Sequence, residues 1–256
     1  MDTPLIKLQS VCAGYNNVQI LKNISFSVLA GESICILGQN GSGKTTLLKT
    51  LAGLLDYSGD IFLNGNNLKR LNRKQIAKKI AVLSQISSIY FSYSVYDTVM
   101  LGRYAQNNDG VFFTISKADT VFVEKCLHAV DIWHLRNRQI NTLSGGQLQR
   151  VYLARTLAQE PDVILLDEPT NHLDIKNQIE LIVFLKSLIK NENKSVIGVF
   201  HDINLAMQFA DKIIFLKDGN IKTFGTKEET ATPQIFQEIY GVDVVSWMQK
   251  SLEIWK

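Results

Sequence analysis

The stretch from Ser33 to Ala52 constrains this chain more than any other. Ser33–Leu37 (SICIL) is apolar enough for a strand buried on both faces, and Thr45–Ala52 has the make-up of a helix. Between them lies Gly38-Gln39-Asn40-Gly41-Ser42-Gly43-Lys44-Thr45, which fits G-x-x-x-x-G-K-[ST]. Glycines let such a loop curl so that several backbone N–H groups point inward, and the helix start adds the positive end of its dipole. That concave set of donors suits phosphate oxygens. Lys44 would neutralise the β- and γ-phosphates, and the Thr45 hydroxyl would ligate Mg²⁺. The chain is therefore expected to bind ATP through Gly38–Thr46, with Gln39, Asn40, Ser42 and Thr46 among the lining residues. A chance match of the glycine pattern would lack the strand before it and the helix after it.

The rest of the chain agrees with an α/β domain. Of 256 residues, 46% are apolar, enough for a sizeable core. Short apolar runs recur at Ile80–Leu83, Val163–Leu166, Ser195–Phe200 and Ile213–Leu216, mostly separated by helical spacing, which predicts a largely parallel central sheet. Leu5–Ala13, Ile24–Leu29 and Asp60–Leu63 read instead as a small antiparallel sheet, with Asn64-Gly65 as a hairpin turn. From about Ser87 to Thr142 helical patterns dominate (Tyr96–Tyr104, Ser116–Val130, Asp131–Arg138), as in a helical insertion. The basic run Lys69, Arg70, Arg73, Lys74, Lys78 and Lys79 is interleaved with Leu71, Ile76 and Ile80, which predicts an amphipathic helix with a solvated outer face.

Charge and cysteine content exclude other classes. A net charge of +3 and a pI of about 8.6 fall short of a dedicated nucleic-acid binder, so no nucleic-acid partner is expected. Cys12, Cys35 and Cys126 have no metal-type or redox spacing and read as small buried residues of a reduced compartment. No signal peptide is visible at Met1–Val11, and no window reaches the ~18 apolar residues of a membrane span. The reading is a cytoplasmic protein that would serve a membrane process only through a partner.

Two further segments carry chemistry. Val163–Leu166 ends in Asp167-Glu168-Pro169, and two acids at the end of a buried strand are costly without a cation or hydrogen-bond partners. Asp167 suits Mg²⁺, and Glu168, one residue further, suits accepting a proton from an attacking water. In Leu143-Ser144-Gly145-Gly146-Gln147, Ser144 is a good N-cap for a helix Gln147–Ala158, and its glycine amides form a second phosphate-binding helix start.

With that segment in place the chain resembles the ABC ATPase family from about Leu5 to Val245. Tyr15 stands where the family has an aromatic stacked on adenine. Gln85 matches the Q-loop glutamine, a ligand of Mg²⁺ with Thr45 and Asp167. Asn171-His172-Leu173-Asp174 matches the D-loop, with Asp174 at the dimer interface, and His201 matches the switch histidine. The resemblance implies a P-loop NTPase fold: one domain, 1–256, with a mainly parallel core sheet, an N-terminal antiparallel β subdomain, and a helical subdomain of about 87–160 inserted in a RecA-like core. It implies ATP hydrolysis, with Glu168 and His201 catalytic. It also implies a head-to-tail dimer in which ATP lies between Gly38–Thr45 of one copy and Ser144, Gly145, Gly146 and Gln147 of the other.

Phe91–Arg103 (FSYSVYDTVMLGR) and Gly225–Glu229, followed by Ile235–Val242, are similar to ATPase subunits of importers for iron–siderophore complexes, haem or cobalamin. That group implies integral-membrane permease subunits, a place on the cytoplasmic face of the membrane, and an extracytoplasmic solute-binding protein. Three alternatives stay open: a soluble ABC ATPase for cofactor or complex assembly, the ATPase of another ABC transporter class, and a P-loop small-molecule kinase, which would give Leu143–Gln147 no role.

Overall fold

The computed structural model describes residues 3–84, 92–106, 114–171 and 173–254. In chain order its strands and helices are β1 (Ile6–Tyr15), β2 (Val18–Val28), β3 (Ser33–Leu37), α1 (Lys44–Leu51), β4 (Tyr57–Leu63), β5 (Asn66–Asn67), α2 (Arg73–Ala77), β6 (Ile80–Leu83), α3 (Val95–Met100), α4 (Lys117–Ala129), α5 (Gly145–Ala158), β7 (Val163–Asp167), α6 (Ile175–Glu192), β8 (Ser195–Val199), α7 (Ile203–Phe209), β9 (Lys212–Lys217), β10 (Asn220–Thr226), α8 (Lys227–Thr230), α9 (Pro233–Tyr240) and α10 (Val244–Glu253). They gather into two compact units, Met1–Arg70 with Ile197–Lys256, and Leu71–Val196.

In the first unit, β2-β1-β4-β5 form an antiparallel sheet. Asn64 and Gly65, both at positive φ (49° and 76°), turn β4 into β5 as the Asn-Gly signal requires. In the same unit β3 pairs in parallel with β9, from Ile34 beside Lys212 to Leu37 beside Phe215, and β10 returns antiparallel along β9. Every residue of β3 is buried, as a strand covered on both faces demands. Ser33 fixes the register: its N–H and hydroxyl both donate to Asp211 Oδ2, at 3.1 and 2.5 Å, just before β9 begins.

In the second unit, β6 and β7 pair in parallel from Ile80–Val163 to Leu83–Leu166, and the Ser195 N–H at the start of β8 donates to the Asp162 carbonyl at 3.0 Å. Helices α3, α4 and α5 start on serine caps, Ser94, Ser116 and Ser144, each accepting the backbone N–H three residues on. Three helical expectations are corrected. The Tyr96–Tyr104 helix changes to 3₁₀ at Leu101, the Asp131–Arg138 helix reduces to a 3₁₀ turn at Trp133–Leu135, and the basic run breaks into a 3₁₀ turn (Leu68–Arg70) and the short α2. Asp131 takes positive φ (57°), which ends α4 instead of extending it. Asn72 caps α2 and so stops the turn before it from continuing.

The change at Leu101 has a packing cause. A Cβ on buried Gly102 would sit 2.3 Å from the Arg155 carbonyl of α5. Next to it the buried Arg103 donates to Asp119 (2.8 Å), Glu160 (2.6 Å) and the Ala158 carbonyl (2.9 Å), tying the turn to α4 and to the end of α5. Burial pushes the Asp119 carboxyl up, but bonds from Ser116 and Arg103 outweigh it and hold it below the usual carboxylate range. Gly102→Ala is expected to destabilise the protein by ~1–3 kcal/mol, read as a lower urea midpoint at unchanged slope.

Of the cysteines, Cys35 and Cys126 are buried as expected, and burial pushes both thiols up. Cys12 is only half-buried, at a register irregularity of β1, where its sulfur accepts the Asn23 N–H.

Candidate functional site

In the first unit the loop after β3 curls through three glycines at positive φ, Gly38 (155°), Gly41 (79°) and Gly43 (105°). Gly38 has no room for a side chain: a Cβ there would lie 2.1 Å from the Leu216 carbonyl of β9. The loop is clamped from outside. The Gly219 N–H donates to the Ser42 carbonyl (3.1 Å), and the Lys22 N–H of β2 donates to the Gly219 carbonyl (2.8 Å). Lys44, only 6% exposed, folds over the loop and donates to the carbonyls of Gly38 (2.8 Å) and Gln39 (2.9 Å). Gln39, Asn40 and Gly41 are exposed, Thr45 is half-buried and Thr46 is buried.

Ser42 was legible only as a position in a pattern, and the structure makes it informative. Its hydroxyl is buried without a hydrogen-bond partner among the described residues. An orphaned buried hydroxyl costs about 1–3 kcal/mol, which an acceptor or donor brought into the loop would relieve. A phosphate oxygen is such an acceptor, so the loop fits the group that its sequence pattern implies.

Tyr15 sits at the tip of the β1–β2 hairpin, where Asn16 and Asn17 take positive φ. Its ring is 41% exposed, with the Lys49 ammonium of α1 5.8 Å from the centroid. His201 is exposed just beyond β8, and Asp202 next to it caps α7 by accepting the Asn204 and Leu205 N–H groups. Sequence reasoning missed Tyr240, at the end of α9, whose hydroxyl lies against the Gly38 N–H. Burial, reinforced by Cys35, outweighs that contact and pushes the Tyr240 phenol up to about 12, so it stays protonated at neutral pH.

The second unit holds the other candidates. Ser144 and Gly145 are exposed at the start of α5, and a Cβ on Gly145 would meet nothing. Ser144 and Gln147 form a reciprocal capping box, Gln147 N–H to Ser144 Oγ (3.3 Å) and Ser144 N–H to Gln147 Oε1 (3.1 Å). Gly146 faces α6 so closely that a Cβ would lie 2.9 Å from the Asn177 amide. Gln149 donates to the Pro169 carbonyl at 2.9 Å, so α5 also holds the segment that follows β7.

Asp167 ends β7, and Glu168 takes a left-handed backbone (φ 54°). That conformation is strained for a side chain of this size and turns it out of the strand's alternation. The Asn171 amide donates to Glu168 Oε2 at 2.5 Å, a contact with no signal in a single sequence. Asp174 caps α6, accepting the Asn177 N–H at 2.8 Å. Gln178 donates to the carbonyls of Thr170 (3.2 Å) and Leu173 (3.1 Å).

So Tyr15, Gly38–Thr46 and His201 fall in the first unit, and Ser144–Gln147, Asp167, Glu168 and Asp174 in the second. Gln85, Phe91 and His172 lie outside the described residues. Among the described residues no group of three His, Cys, Asp or Glu could hold a metal by itself. Thr45 and Asp167 offer hard oxygen donors, the kind Mg²⁺ takes when it arrives with phosphate oxygens.

Comparison with known proteins found the following likenesses. The family model described as ABC transporter matches residues 21–171. The chain is 34% identical over 235 residues to the ferric enterobactin transport ATP-binding protein FepC of Escherichia coli (strain K12), covering 91% of this chain and 86% of that protein. It is 33% identical over 231 residues to the iron(3+)-hydroxamate import ATP-binding protein FhuC of Bacillus subtilis (strain 168), covering 90% and 85%. Among solved structures, the dimeric post-hydrolysis state of the ATP-binding cassette MJ0796 bound to ADP and Pi matches with a TM-score of 0.75 at 30% identity, over 86% of this chain and 98% of that one.

Proposed function

The chain belongs to the ABC transporter family as the ATPase of a transporter, and from that premise we propose that it energises import of an iron chelate, haem or cobalamin-like solute through a separate membrane permease. The observation that carries this reading is the likeness to FepC and FhuC, two proteins named for ferric enterobactin and iron(3+)-hydroxamate transport, over nine-tenths of the chain.

In this reading Lys44 and the loop amides bind the β- and γ-phosphates, and Tyr15 stacks on the adenine. Thr45, Asp167 and Gln85 hold Mg²⁺, which offsets charge on the phosphoryl oxygens. Glu168, its carboxylate held by Asn171, takes the proton of the attacking water. His201 contacts the γ-phosphate and stabilises the transition state. A second copy in head-to-tail contact supplies Ser144, Gly145, Gly146 and Gln147, with Asp174 at the interface. ATP then joins two copies and hydrolysis releases them, a cycle that can drive a two-state membrane partner.

No described helix is long and apolar enough to cross a membrane. The chain acts at the cytoplasmic face through its permease, with a solute-binding protein on the other side. Affinity purification from detergent-solubilised cells tests this. A polytopic membrane subunit is the expected companion, and recovery of soluble partners alone would overturn the transport reading.

A further inference from the structure

One side chain joins two candidate segments of the second unit. Asn177 stands at the third position of α6, after the cap Asp174. A Cβ on Gly146 would lie 2.9, 3.0 and 3.1 Å from its Nδ2, Cγ and Oδ1. Three nearly equal distances mean that the flat face of the amide lies against the Gly146 backbone, a fit that needs glycine. The same Nδ2 donates to both carboxylate oxygens of Asp174, each at 2.9 Å, and the Asn177 N–H donates to Asp174 Oδ1 at 2.8 Å. Asp174 is exposed, so these bonds, not packing, select its rotamer.

One turn further along, Arg150 of α5 donates to Glu180 of α6 at 2.5 Å. A cleft of about 260 Å³ is lined by both pairs and by Leu153 and Phe184. Close packing therefore does not back up the amide at this end of the two helices.

We propose that Asn177 is a positioning residue of the shared ATP site: it sets the Ser144–Gln147 helix start and Asp174 in one geometry, so that a copy presents both together to the ATP of its partner. The proposal rests on the head-to-tail reading. Asn177 touches no nucleotide and acts through Gly146 and Asp174. Donors stabilise a transition state best when they are already in place as charge develops. Loosening them lowers turnover more than ATP binding, which the Gly38–Thr45 loop of the other copy provides.

The effect must therefore appear in trans, and mixed pairs read it. Lys44→Ala copies keep the Ser144 segment, and Ser144→Arg copies keep the phosphate loop, so a mixed pair has one working site. Asn177→Asp keeps the shape of the amide, removes its donated bonds and sets a second carboxylate against Asp174. An acid in the first turn of a helix is favoured by the helix dipole, so the thermal midpoint should hold. Placed in the Lys44→Ala copy, Asn177→Asp is expected to lower kcat of the mixture ~10-fold, with KM for ATP changed less than about twofold. Placed in the Ser144→Arg copy, it falls in the idle half and should leave the mixture at its parent rate. Asn177→Ala, which adds no charge, should show the same asymmetry. Equal losses in the two placements, or no loss in either, would overturn the positioning role alone, since the active parent mixture keeps the shared site standing. A parent mixture no more active than its components would overturn the head-to-tail reading and this inference with it.

Discussion

Glu168→Gln is expected to lower ATP turnover by ~10²-fold or more while leaving ATP binding intact. The substitution is a clean one at this position. Glu168 occupies a left-handed backbone after β7, and its carboxylate accepts the Asn171 amide at 2.5 Å. A glutamine carbonyl oxygen can accept the same bond, so the loop keeps its shape and the side chain its direction. What is lost is the capacity to take a proton from water. Because hydrolysis is what separates the two copies in the proposed cycle, the variant should also accumulate as an ATP-bound dimer. Steady-state turnover and nucleotide retention measure the two effects. Turnover near wild type would remove Glu168 from the general-base role.

Lys44→Ala is expected to act on binding instead. Lys44 is 6% exposed and bonded to the Gly38 and Gln39 carbonyls. The same ammonium is the proposed partner of the β- and γ-phosphates. A hydrogen bond to a charged group contributes about 1.5–3 kcal/mol, so losing the phosphate contacts should weaken ATP binding by ~10²-fold. The loop itself should loosen, because two carbonyls lose their common donor. Calorimetric titration with ATP reads the affinity. Unchanged affinity would mean that the buried lysine serves the loop's fold and not the nucleotide.

The two variants probe the parts of the site that the sequence made most legible. Four apolar residues in a row after Ser33 read as a buried strand, and β3 is buried along its whole length. Serine at position 144 marked a helix start because a hydroxyl there satisfies an N–H that the helix leaves open, and it caps α5 as expected. The failures share a cause. Nothing near Gly102 in the sequence indicates that the Arg155 carbonyl, 53 residues later, lies under it and forces the helix to tighten. Asn171 reads as a loop residue until its amide is found on Glu168. The Ser42 hydroxyl looks like any small residue in a glycine-rich loop until its burial without a partner is seen. Periodicity and caps report local preference, whereas these contacts depend on which distant backbone the fold brings alongside.

The central claim is that each ATP site is shared between two copies, one giving Gly38–Thr45 and the other Ser144–Gln147. Mixing two inactive variants tests it most directly. Lys44→Ala disables the loop of one copy, and Ser144→Arg blocks the exposed helix start of the other. In a head-to-tail pair, the intact loop of the Ser144→Arg copy faces the intact Ser144 segment of the Lys44→Ala copy. The account predicts ATPase activity in the mixture well above that of either variant alone. A mixture no more active than its components would contradict it.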